Sequence, residues 1–142
     1  MRNLAAETDM PGKIRLRRTP VTVIIFLAAL FVVSQATAKP SNKWRIKFNH
    51  SAKSAGEIVF SVEPVGGEPI EVHAQIEEGM GENKVAKVVR DAFRAQLPKE
   101  RFHIERDDGE DVLVKKRHGE VNFDLHLKNC SVENLRIKLK RE

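Results

Sequence analysis

NKVAKVVRDAFRAQL, residues 83–97, is the one stretch of this chain with a clear helical period. Val85, Val88, Val89, Ala92, Phe93 and Leu97 recur at three- and four-residue spacing, while Lys84, Lys87, Arg90, Asp91 and Arg94 fall on the opposite side. Such a helix must bury one face. Asn83 is its expected N-cap, the side-chain oxygen accepting an orphan amide of the first turn, and Pro98 stops it by disfavouring helix at Leu97.

On both sides of this helix the apolar residues alternate instead, which is the period of a half-buried strand. Before it come Trp44, Ile46 and Phe48; then Ile58, Phe60 and Val62 as far as Pro64; then, past the Gly66-Gly67 turn, Ile70, Val72, Ala74 and Ile76. After it come Phe102 and Ile104; Val112 and Val114; Val121, Phe123, Leu125 and Leu127; and Leu135, Ile137 and Leu139. Asp108-Gly109, between two of these runs, is a strong hairpin signal because glycine tolerates positive φ. No strand is apolar throughout, so the sheet is expected to be antiparallel with one face wet. The expected fold is α+β in two layers: a mainly antiparallel sheet of about six or seven strands, with the amphipathic helix 83–97 packed on one face.

The first 38 residues do not belong to that domain. A basic cluster, Lys13, Arg15, Arg17 and Arg18, precedes the apolar run Val21 to Val33, and Ala36-Thr37-Ala38 supplies the small-x-small pattern of an export cleavage site. The run would make a helix only about 20 Å long, against a hydrocarbon core of about 30 Å, so a cleaved signal fits better than a retained anchor. Cleavage is expected after Ala38, giving a periplasmic or secreted domain over residues 39–142. Five of the 25 basic and two of the 20 acidic side chains leave with the signal, lowering the net charge from +5 to +2. General basicity therefore gives no argument for nucleic-acid binding, which needs a clustered excess of Lys and Arg. A single cysteine, Cys130, allows no internal disulfide and is expected to be a small semi-buried residue.

No pattern of local chemistry stands out. His50, His73, His103, His118 and His126 form no His-x-His or His-x-x-x-His pair, so His73, His103 and His126 are expected to be solvated strand residues, without a metal or other cofactor. Asp107, Asp108, Glu110 and Asp111 crowd one turn without the alternate spacing of a calcium loop, and a solvated turn is expected. There is no Gly-x-Ser-x-Gly elbow and no base near Cys130 in sequence, so the reading is of a protein that is not an enzyme. A hydrolase whose site is assembled only in three dimensions is the alternative that leaves no local trace.

One surface feature remains. Arg45 and Lys47 on the first strand and Arg136, Lys138 and Lys140 on the last point away from the core. If these strands pair, the five cations form a stripe suited to an anionic partner, a protein or an envelope component. Lysines on edge strands also discourage edge-to-edge aggregation, which is the simpler account of the same residues.

The segment GEIVFSVEPVGGEPIEVHAQI followed by ENKVAKVVRDAF resembles the hairpin-then-helix pattern of small β-β-α-β modules in flagellin and hook-type filament proteins and in phage tail proteins, over about residues 57–116. That resemblance implies a structural, assembling role. In overall style the chain is similar to exported bacterial envelope proteins. The residues themselves lead to an exported, non-enzymatic domain that binds another macromolecule through its sheet face or an edge strand; the alternative is a structural subunit that polymerises by edge-strand pairing.

Overall fold

A computed structural model describes residues 39–142; the expected export signal, its cleavage after Ala38 and the alternative anchor lie outside the described residues. The order is β1 (Lys43–Asn49), β2 (Gly56–Pro64), β3 (Ile70–Ile76), α1 (Glu82–Gln96), β4 (Phe102–Asp107), β5 (Asp111–Lys116), β6 (Phe123–Cys130) and β7 (Arg136–Arg141). The α+β class and the antiparallel pairing agree with the alternation. The seven strands divide, however, into two sheets, β4-β5-β1-β7 and β3-β2-β6. Alternation reports which face of a strand is buried and carries no record of which strands are neighbours.

The two sheets and the helix share one core. Trp44, Ile46, Phe48, Val112 and Val114 come from the four-stranded sheet, Ile58, Phe60, Val62, Val72 and Leu125 from the three-stranded one, and Val85, Val89 and Phe93 from α1. Phe93 is fully buried and meets Phe60 with ring centroids 5.3 Å apart, within the usual range for a favourable aromatic pair. Phe102 and Phe123 make an edge-to-face pair at the same separation, and the Trp44 indole N–H donates to the Phe123 carbonyl at 3.0 Å, so the sheets are joined directly as well as through the helix.

The helix, expected over 83–97, lies one residue earlier at both ends, with Leu97 as its C-cap. Gly81 is the N-cap, with no side-chain cap bond, and Asn83 lies inside the first turn. The Asn83 side chain instead sits against the β4–β5 turn, where a Cβ added to Gly109 would come within 3.0 Å of its Oδ1. Gly109 has φ +75°, so conformation and space both call for glycine there. The last strands also shift. β6 begins at Phe123, leaving Val121 exposed; Leu127 keeps its register opposite Phe60 but is 38% exposed on an edge strand, and just beyond it an irregularity inserts Lys128 between Leu127 and Asn129.

Four strands are sheet edges: β3, β4, β6 and β7. α1 packs against both β3 and β4, and its side chains satisfy one exposed edge position on each. Gln96 Oε1 accepts from the His73 backbone N–H at 2.9 Å while its Nε2 donates to the His73 carbonyl at 2.8 Å, reproducing the bonds of a neighbouring strand. Arg94 donates from Nε and Nη2 to the Ile104 carbonyl at 3.0 and 2.8 Å. β6 and β7 receive no such cover from the helix; they contact one another without a shared ladder.

Because the core is common to both sheets and α1, Phe93→Ala is expected to cost about 3–5 kcal/mol in denaturant unfolding. A loss below about 1 kcal/mol would mean that this face of the helix is not packed as core.

Candidate functional site

β1 and β7 pair antiparallel, with Arg45 opposite Lys140, Lys47 opposite Lys138 and Asn49 opposite Arg136. All five expected stripe residues therefore lie on one face of the four-stranded sheet. Like charges directly opposed on a sheet destabilise it unless they are compensated, and the compensation here is uneven. Arg45 Nη1 donates to Asp111 Oδ2 at 2.8 Å and to Asp107 Oδ2 at 3.0 Å, and its Nε donates to Glu142 Oε1 at 2.6 Å. Lys47 Nζ lies 3.6 Å from Glu110 Oε1 and 3.8 Å from Asp111 Oδ1.

The acidic β4–β5 turn is thus more than a solvated turn. Asp111 is 2% exposed, held down by Arg45, and its Oδ1 has no hydrogen-bond partner, with the Lys47 ammonium the cation facing it. An orphaned buried carboxylate oxygen costs stability, which the three-carboxylate grip on Arg45 offsets. Three carboxylates raise the affinity of the Arg45 guanidinium for its proton, Glu142 most, then Asp111. Reciprocally, hydrogen bonds from Arg45 first and Lys43 second hold the Glu142 carboxyl down at about 2. The stripe consequently splits. Arg45 and Lys47 are anchors tying β1 to the β4–β5 turn, whereas Arg136 and Lys138 have no carboxylate partner among the described residues, and Lys140 is 75% exposed and reaches Glu142 only at 4.0 Å.

The core-facing side of the same strand is apolar and incompletely covered. Ile137 and Leu139 of β7, Leu135 before it and Cys130 at the end of β6 are only partly buried, and Leu127 is exposed. Exposed Lys128 extends the positive charge onto β6. One end of this side is closed by Ser41, which exchanges backbone bonds with Phe123 and donates its hydroxyl to the Glu142 carbonyl at 2.8 Å. The other end is the short connection from Cys130 to Arg136. A strand edge flanked by half-buried aliphatics and three outward cations offers backbone donors and acceptors, apolar contact and positive charge to a single extended segment.

Sequence reasoning identified the cations and missed the rest of this arrangement. The signal that was present is that the turn from Asp107 to Asp111 opposes the sign of the stripe. The edge-closing roles of Arg94 and Gln96 left no signal, since both read as polar residues on the outer side of a helix.

The histidines divide between the sheets. His73 Nδ1 is 3.1 Å from Glu57 and its Nε2 3.4 Å from Glu71; His126 lies 3.7 Å from both Glu63 and Asp124. Both are on β-strands of the three-stranded sheet, while His103 is on β4 of the other, 3.2 Å from Glu105. The line across one sheet does not form, and among the described residues no three His, Cys, Asp or Glu side chains are disposed to hold a metal ion. Cys130 is a half-buried free thiol. No described helix is long and apolar enough to cross a membrane. Comparison with protein-family models, curated proteins and solved structures returns no match to this chain.

The Arg45 cluster makes stability acid-sensitive. Glu142 is depressed to about 2 from 4.5, and Glu105 is lowered by its hydrogen bond from Lys115 and then by His103. A carboxylate depressed on folding stabilises the fold in full above its unfolded value and loses that contribution as pH falls through the folded one. The melting temperature should therefore hold steady from about pH 7 to about pH 5 and fall between about 4.5 and 2. Glu142→Gln should lower it at neutral pH and flatten the acid limb. Parallel curves for variant and parent would contradict the cluster's role.

Proposed function

We propose that this protein is an exported binding domain that takes an extended, acidic segment of another macromolecule along the free edge of β7. The observation that carries the reading is the contrast among the sheet edges: α1 packs along β3 and β4 and satisfies edge groups of His73 and Ile104, whereas β7 receives no cover from the helix and carries Arg136, Lys138 and Lys140 on one face and the half-buried Ile137 and Leu139 on the other. Strand addition draws affinity from backbone hydrogen bonds and selectivity from alternate side chains. The fitting segment alternates acidic and aliphatic residues, its acids toward the three cations and its aliphatics toward Ile137, Leu139 and Leu127. Export rests on the Val21 to Val33 run and on Ala36-Thr37-Ala38, and N-terminal sequencing of the protein recovered outside the cytosol should begin at Lys39.

A second reading draws on the opposite face. Glu57, Glu63 and Glu71 are on β2 and β3 of the three-stranded sheet, so one copy's acidic face complements another's β7, in a head-to-tail contact that need not close. Sedimentation of a strict monomer over a wide concentration range would remove that reading.

The direct test is titration with a synthetic alternating Glu-Val peptide, with a Lys-Val peptide as control. The acidic peptide should bind saturably, slow hydrogen exchange at β7 amides and lose about tenfold in affinity on Lys138→Glu combined with Lys140→Glu. Unchanged affinity in the charge-reversed protein would sink the proposal.

A further inference from the structure

A second candidate binding site lies at the other edge of the four-stranded sheet. Between the last turns of α1, the connection after Leu97 and β4 there is an open cleft of about 510 Å³, within the range of about 300–1,000 Å³ usual for small-molecule sites. Its floor is apolar, with Phe93, Leu97, Phe102 and Ile104. Its rim carries Arg94, Lys99 and Arg117, all exposed.

These cations are oriented without being neutralised. Arg94 spends Nε and Nη2 on the Ile104 carbonyl, and Arg117 donates its Nε to the Lys99 carbonyl at 2.6 Å; both acceptors are uncharged, so each guanidinium is fixed in place with its full charge and with donors to spare. Lys99 has no ion-pair partner among the described residues. The single rim carboxylate, Asp91, is occupied by Arg90 at 2.7 Å. Arg101, whose guanidinium lies 5.8 Å from the Phe102 ring centre, is matched by Glu120 at 3.1 Å. An apolar floor beneath three uncompensated cations selects a molecule with an aliphatic body and one anionic head.

The geometry points to this cleft as a binding site for an anionic amphiphile, an aliphatic chain ending in a carboxylate or phosphate. The chain lies over Leu97, Phe102 and Ile104, with Phe93 buried beneath them, and the head group meets Arg94, Lys99 and Arg117. The site is independent of β7, which forms the opposite edge of the same sheet.

Decanoate is the probe, with decyl phosphate, decanol and acetate as comparisons, read by NMR shift mapping on the purified protein. Decanoate should bind saturably with shifts confined to the second half of α1, residues 97–104 and Arg117. Decanol, lacking the charge, and acetate, lacking the chain, should each bind at least about tenfold more weakly. Decyl phosphate binding more tightly than decanoate would identify the head group as phosphate, and the reverse as carboxylate; either result supports the site. Lys99→Ala with Arg117→Ala should weaken decanoate by about tenfold or more. Ala95→Trp, on an exposed lining position, should block binding while leaving the fold intact. Equal affinity for decanol and decanoate, shifts scattered over the surface, or full affinity in Ala95→Trp would each overturn the assignment.

Discussion

A sheet edge exposes a row of backbone donors and acceptors that must be paired, hydrated or covered, and this constraint organises the molecule. Two separate sheets produce four edges. One helix serves two of them at once, because Arg94 and Gln96 lie on opposite flanks of its last turn and reach β4 and β3 respectively. The Gln96 amide is a close imitation of a peptide group, one donor and one acceptor in a plane, and it satisfies both polar groups of His73. Burial of Val85, Val89 and Phe93 fixes the helix in the position where these two side chains can act. Core packing and edge closure are therefore a single arrangement, and it leaves β6 and β7 as the side where pairing is incomplete.

Charge follows the same division. The β4–β5 turn brings Asp107, Glu110 and Asp111 over β1, so the positive charge of Arg45 and Lys47 is spent inside the protein, holding β1, β5 and the end of β7 together. On β7 the outward cations face solvent. Their placement discourages indiscriminate association of an open edge and, by the same electrostatics, favours an acidic partner. At the far edge, Arg94 both satisfies the Ile104 carbonyl of β4 and stands on the rim of the cleft beside it.

Much of the fold was legible because strand alternation is local. Each of the seven apolar runs became a strand, and β2 and β3 begin and end where Pro64 and the Gly66-Gly67 turn place them. The partition into two sheets was not legible, because it depends on strand neighbours far apart in sequence. Leu113 shows the same limit: it lies on the outer face of β5, yet is buried among Glu105, Arg45 and their neighbours, which the alternation alone would call wet. The cation stripe was readable, since it needed only the β1–β7 pairing. Its partial neutralisation was not, because the carboxylates that hold Arg45 lie 62, 66 and 97 residues away along the chain. The N-cap is illegible for a related reason, as the Asn83 side chain lies against Gly109 of a turn distant in sequence.

The most direct test of edge closure by α1 is native-state hydrogen exchange at the His73 amide, which donates to the Gln96 side chain and to no strand. In the parent protein it should exchange as slowly as amides inside the β2–β3 ladder, and in Gln96→Ala it should speed up toward the rate of an uncovered edge while the β2 amides stay protected. Fast exchange in the parent, or an unchanged rate in Gln96→Ala, would contradict the account.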